Sequence, residues 1–226
     1  MRWLLPIAAL MVVPTVTMPA PGSLSGKVIC LDPGHPSENG SGARGKKISE
    51  LRANWLVALK LKAQLQERGA RVIMTKSQLQ ETVTNRRRAE IANAAGAALA
   101  VRLHCDSGGG PGLAVYYPDR AGTVKGVTGP SRQVIASSTR VAKAMYPVII
   151  RALAGKVKAK GLRTDKATYI GSRQGALTGS IYSRVPVVLI EMVTLSYASD
   201  DAFIASANGQ AAMANAIAAG IEAGLK

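Results

Sequence analysis

Only two histidines occur in this 226-residue chain, and each closes an apolar run: His35 ends "LDPGH" and His104 ends "ALAVRLH". One histidine in such a place is ordinarily a satisfied structural residue. Two of them, at the ends of separate apolar runs, are imidazoles that a single fold can bring together. Two carboxylates stand where they can join them, Glu50 at the start of a helical pattern and Glu191 within "VPVVLIEM". Two imidazoles and one carboxylate, with a position left for water, are the donor set of a hydrolytic zinc site. Zinc lowers the pKa of its water to around 7. A second, unbound carboxylate then takes the water proton and passes it to a leaving amine. Residue type alone leaves open which glutamate has which role.

The elements that must position these four side chains alternate along the chain. "KVICLD" (27–32), "RVIMT" (71–75) and "ALAVRLH" (98–104) read as strands. Between them "SELRANWLVALKLKAQLQERG" repeats apolar residues at three- and four-residue steps up to Gly69, and "TNRRRAEIANAAG" makes a second helix. "GLAVYYP" (112–118) reads as another strand. "VPVVLIEM" (185–192) has the unbroken apolar character of a strand covered on both faces, and Met213, Ile217, Ile221 and Leu225 mark a closing helix. From 119 to 184 the pattern blurs into a basic, glycine-rich stretch around one helix, Ser131 to about Ala154, which Pro147 is expected to kink. The expected fold is a single α/β domain, a largely parallel twisted sheet with helices on both faces. Ligands of such sheets gather beyond the carboxyl ends of the strands, where His35, His104 and Glu191 fall and where Glu50 opens its helix.

The chain begins with an arginine and an apolar stretch from Trp3 to Val13, too short to span a bilayer. Residues 1–24 are read as a signal peptide or other N-terminal export segment, and 25–226 as the catalytic domain. Export leads to the periplasm, cell wall or medium, with no stable membrane span. Lys and Arg total 29 against 13 acidic residues, a formal charge of +16 that favours an anionic polymer. One Phe and 4% aromatic content leave no stacking platform for nucleic acid, so an anionic cell envelope is the better match. Cys30 and Cys105 are not expected to pair. If the two histidines mark the same ends of neighbouring strands, the sulfurs are offset by roughly 15 Å at about 3.3 Å per residue, whereas a disulfide needs Cα atoms within about 7 Å.

Five short motifs, in order, resemble the zinc-dependent N-acetylmuramoyl-L-alanine amidases of the amidase 3 type. They are "ICLDPGH"; Gly45, Glu50 and Asn54; Arg88 and Asn93; "VRLHCDS"; and "PVVLIEM", and the resemblance covers nearly all of residues 27–225. The resemblance implies that His35, Glu50 and His104 bind Zn2+ and that Glu191 is the catalytic glutamate. It also implies a peptidoglycan substrate, cut between the lactyl group of N-acetylmuramic acid and L-alanine; substrate-binding residues stay unassigned. The chain departs from the family pattern at Arg102, where a small hydroxyl residue is usual, at Cys105-Asp106, and at the "MVT" after Glu191. Cys105, next to His104 on an extended strand, should face away from the site. A monomer is expected. The competing reading is a catalytically inactive wall-binding module of the same fold.

Overall fold

The computed structural model describes residues 22–226; the export segment read over 1–24 lies almost wholly outside the described residues. Leu24, at that segment's end, belongs instead to the folded unit. It is buried in the main core, and its backbone N–H donates to the carbonyl of Arg68.

Six strands form the main sheet: β1 (Val28–Pro33), β2 (Arg71–Met74), β3 (Leu99–Asp106), β4 (Leu113–Tyr117), β7 (Ala159–Thr164) and β8 (Val187–Thr194), in the order β2-β1-β3-β8-β4-β7. Every neighbouring pair is parallel except β4 with β8. Two further short strands, β5 (Gly122–Val124) and β6 (Val127–Gly129), form a hairpin apart from it. The helices are α1 (Glu50–Glu67), α2 (Asn85–Ala94), α3 (Arg132–Ala152), α4 (Tyr169–Gln174), α5 (Thr178–Ile181), α6 (Ala198–Ala205) and α7 (Ala207–Gly224). Ser49, Thr84 and Ser131 cap α1, α2 and α3, each accepting a hydrogen bond from a first-turn N–H. Helix α3 continues through Pro147 without a break.

Side chains alternate across each strand, so the sheet has two unlike faces. On one, Ile29 and Leu31, Leu99, Val101 and Leu103, and Val188 and Ile190 join α1, α3 and α7 in one large apolar cluster. On the other, Cys30, Ala100 and Val187 make a small cluster with α2, and Ala114, Tyr116 and Leu189 another. Beyond those small clusters, toward the carboxyl end of the strands, this second face turns polar with Asp32, Arg102, His104 and Glu191. The polar residues continue the same alternation as the small apolar clusters. No helix among the described residues is long and apolar enough to cross a membrane.

Candidate metal centre and its cleft

His35 follows β1 directly and has a left-handed backbone, φ 63°, a conformation that non-glycine residues keep only where the surroundings hold it. They do so here through carbonyls. Lys76 Nζ donates to the His35 carbonyl, and Arg88 Nη2 and the Val83 N–H both donate to that of Pro36. The imidazole Nδ1 lies 2.9 Å from the Gly40 carbonyl, which leaves Nε2 facing Glu50 Oε1 at 3.3 Å. His104 Nδ1 lies 2.9 Å from the same oxygen, and His104 Nε2 is buried without a partner. Glu50, the first residue of α1, is itself fixed by two backbone donors, Ala43 N–H to Oε2 at 2.7 Å and Cys105 N–H to Oε1 at 3.1 Å. Two glycines leave room for this crowding: a Cβ on Gly34 would run into the His104 ring, and one on Gly42 would come within 2.7 Å of both Glu50 and His35.

The ligand atoms of His35, Glu50 and His104 lie within 4.8 Å of one another. This is a fit for one cation. Two imidazole nitrogens and a carboxylate oxygen are packed round a shared point, and one ring nitrogen there has no other partner. Burial disfavours the Glu50 charge, but hydrogen bonds and charge from both histidines outweigh it and hold the carboxyl well below its usual range. Burial likewise pulls His35 down, yet Glu50 and the Gly40 carbonyl leave it raised overall. For His104 burial wins and favours the neutral ring, the form that binds metal.

Glu191 pairs in register with His104 across β3 and β8, so both side chains stand on the polar face. They line one cleft of about 270 Å³, together with His35, Arg102, Asn85 and Tyr169 among others. Glu191 Oε2 is buried with no hydrogen-bond partner. Burial drives its carboxyl well above the ordinary value, the charges of Glu50 and Asp106 add to this, and Lys160 and Arg102 oppose it. Cys105 joins the apolar cluster on the opposite face, as its neighbour relation to His104 requires.

A family model for N-acetylmuramoyl-L-alanine amidases, Amidase_3, matches residues 29–223. The chain belongs to this amidase family. An N-acetylmuramoyl-L-alanine amidase of Mycobacterium tuberculosis is 25% identical over 229 residues, covering 89% of this chain and 87% of that protein. The apo structure of the amidase Ami1 from Mycobacterium abscessus matches with a TM-score of 0.74 at 26% identity, over 89% of this chain and all of that one. The AmiC2 amidase of Nostoc punctiforme gives 0.69 at 25% identity, over 87% and 96% of the two chains.

The amidase-family motifs acquire distinct structural tasks. Asn54 donates to the Gly34 carbonyl at 3.3 Å, and Asn93 ties α2 to the chain after α5 by bonding the Tyr182 carbonyl and the Arg184 N–H. Arg88 lies beneath the site and donates to Asp32, Pro33, Pro36, Thr75 and Val83. Reasoning from residue types missed the buried partner of that arginine. Asp32 accepts from Arg88, from Thr75 Oγ1 at 2.6 Å and from Arg102 Nε at 3.0 Å. The available signal was a charge inside each of two apolar strands, Asp32 in "ICLDP" and Arg102 in "LAVRL", which buried strands tolerate only when paired. The cleft wall from Thr168 to Thr178 had no such signal, because it comes from the two short helices of the blurred stretch.

Proposed function

We propose that this protein is an exported, zinc-dependent N-acetylmuramoyl-L-alanine amidase that hydrolyses the amide between the lactyl group of N-acetylmuramic acid and L-alanine in peptidoglycan. The observation that carries the reading is the three-ligand cluster in one cleft with Glu191, one carboxyl oxygen of which is buried without a partner. His35, Glu50 and one ring nitrogen of His104 would hold the ion. Zinc bound there would supply a Lewis acid for the scissile carbonyl and a lowered pKa for water near neutral pH. Glu191 takes one proton from the attacking water as the carbon–oxygen bond forms, then gives it to the alanine nitrogen as the carbon–nitrogen bond breaks. A free muramoyl carboxylate and a free amine result. Burial raises the Glu191 carboxyl, which favours the protonated form that donates in the second half of that cycle and opposes the ionised form that accepts in the first. Gly40, Ala43 and Cys105 act through the ligands, fixing the His35 ring and both Glu50 oxygens by backbone hydrogen bonds.

The charge of +16 supports a place among anionic wall polymers, and the apolar start supports export. Mass spectrometry of peptidoglycan digested by the zinc-loaded protein tests the activity. Intact glycan strands and peptides with a free L-alanine amine are expected. New reducing sugar ends would show a different bond cut, and binding without any cleavage would favour a wall-binding module.

A further inference from the structure

Two arginines lie buried under the same cleft, and they differ in how completely they are used. Arg88 engages all three guanidinium nitrogens with Asp32, Thr75 and three backbone carbonyls. Arg102 donates only from Nε to Asp32 Oδ2 and from Nη2 to Asn85 Oδ1; its Nη1 has no acceptor among the described residues. Gly179 packs directly against this guanidinium, where a Cβ would come within 2.9 Å of Nη1. Asp32 supplies one negative charge for two permanently cationic groups. Two other carboxyls, Glu191 and Asp165, make no hydrogen bond to Arg102, although its charge acts on both and favours their ionised forms. A buried cation with one nitrogen's donor capacity unspent therefore borders the cleft, at 6% exposure.

We infer that Arg102 is a specificity residue that receives a free carboxylate on the stem-peptide residue following L-alanine. The inference rests on the amidase reading above. Arg102 stands two residues before His104 on the same face of β3, about 6.6 Å along the strand at 3.3 Å per residue. Successive Cα atoms of a peptide are 3.8 Å apart, so a carboxylate carried on the second residue's Cα lies roughly 6–7 Å from the scissile carbonyl. The spacing of the two side chains along one strand face is thus of the same order as the reach from the scissile carbonyl to that carboxylate. A planar guanidinium fork also distinguishes a carboxylate from the isosteric carboxamide, because the amide nitrogen presents hydrogens to a group that has only donors.

The test uses two N-acetylmuramoyl-L-alanyl dipeptides that differ only in whether the second residue's α-carboxyl is free or amidated. Wild-type hydrolysis is measured with zinc present, and calorimetric binding with zinc-loaded Glu191→Gln protein. The acid should be favoured by on the order of tenfold to a hundredfold, in KM and Kd rather than kcat. Arg102→Lys should reduce the ratio to a few-fold, and Arg102→Met should abolish it. Where Arg102→Met fails to fold, Arg102→Lys, which keeps the positive charge beside Asp32, carries the attribution, and an unchanged ratio in it overturns the role. Equal treatment of the two peptides, or preference for the amide, overturns the role of Arg102 and leaves the amidase reading intact. If neither these peptides nor peptidoglycan is cut, the amidase reading falls, and the binding ratio still reports on Arg102.

Discussion

The two faces of the central sheet use the same strands for opposite purposes. On the face covered by α1, α3 and α7, every inward residue of β1, β3 and β8 that joins the cluster is apolar, and the burial is continuous. On the other face the apolar clusters are small, and the positions nearer the carboxyl edge hold Asp32, Arg102, His104 and Glu191. Alternation along a strand lets one segment stabilise and react at once, residue by residue. Leu103 and His104 are one residue apart; the first is in the large core and the second in the cleft. The lesson is that stability and activity should respond to different substitutions on one strand.

The largest expected effect is on activity alone. Chelation should abolish hydrolysis while melting stays cooperative at a somewhat lower temperature, since none of the three ligands belongs to the large cluster. Complete unfolding of the metal-free protein, seen by circular dichroism, would erase the division between the faces. His35→Ala and His104→Ala should each lose bound zinc. Glu191→Gln should keep zinc near the wild-type content and lose about 10²- to 10⁴-fold in rate, the usual share of a general base. Loss of zinc by Glu191→Gln, with its retention by Glu50→Gln, would reverse the two roles.

Asp32 is where the distinction should blur, because it lies on the reactive face and is buried in the fold. Asp32→Asn leaves two guanidinium groups without a counter-charge and should cost about 3–5 kcal/mol in denaturant unfolding. Arg88 and Arg102 hold its carboxyl well below the ordinary range against the opposing effect of burial. A lowered folded-state pKa means that its stabilisation is fully present above the unfolded value of about 3.9 and disappears as pH falls below it. The stability difference between wild type and Asp32→Asn should therefore shrink steadily below about pH 4. A constant difference across that range would show that Asp32 contributes through shape and not charge.

The sequence made the apolar face and its helices legible because their periodicities are long and regular. The same periodicity placed His35, His104 and Glu191 near the carboxyl edge, where apolar strands run out, and Glu50 at the start of a helical repeat. Less visible was the antiparallel entry of β4 beside β8, which no local pattern encodes. The edge strand β7, "AKGLRT", is mostly half-exposed and reads as loop, and α4 and α5 are too short to show a helical repeat. Helix α6 passed unnoticed for the same reason. Arg102 was visible as a departure from a motif and as a charge inside an apolar strand, but its meaning required Asp32, seventy residues earlier, to be seen across the β1–β3 pairing.

On the dry face, Leu61→Ala removes a fully buried side chain of α1 and should cost roughly 2–5 kcal/mol while the rate per folded molecule is unchanged. A fall in that rate comparable to Glu191→Gln would show that cavities in the large core reach the cleft, and the two faces would no longer be separable.

The smallest effect concerns the cysteines, which lie on opposite faces and sharpen the comparison by doing nothing. Cys30 pairs in register with Ala100 and belongs to the small cluster; Cys105 is five residues further along β3 and belongs to the large one. The sheet itself separates the sulfurs, a stronger bar to a disulfide than the offset along the strands, and both thiols are free. Burial, with the nearby Asp32 charge, pushes the Cys30 thiol up to about 12. Burial and the charges of Glu50 and Glu191 raise Cys105 as well. Because the thiolate is the reactive form, almost none is present on either residue at pH 8. Folded protein exposed to iodoacetamide at that pH should stay unmodified by mass spectrometry, and two adducts should form once guanidinium unfolds it. Rapid labelling of Cys105 alone would mean that solvent reaches the large core from the site. Labelling of Cys30 alone would mean that α2 opens from the polar face, placing the weaker packing where the small clusters are.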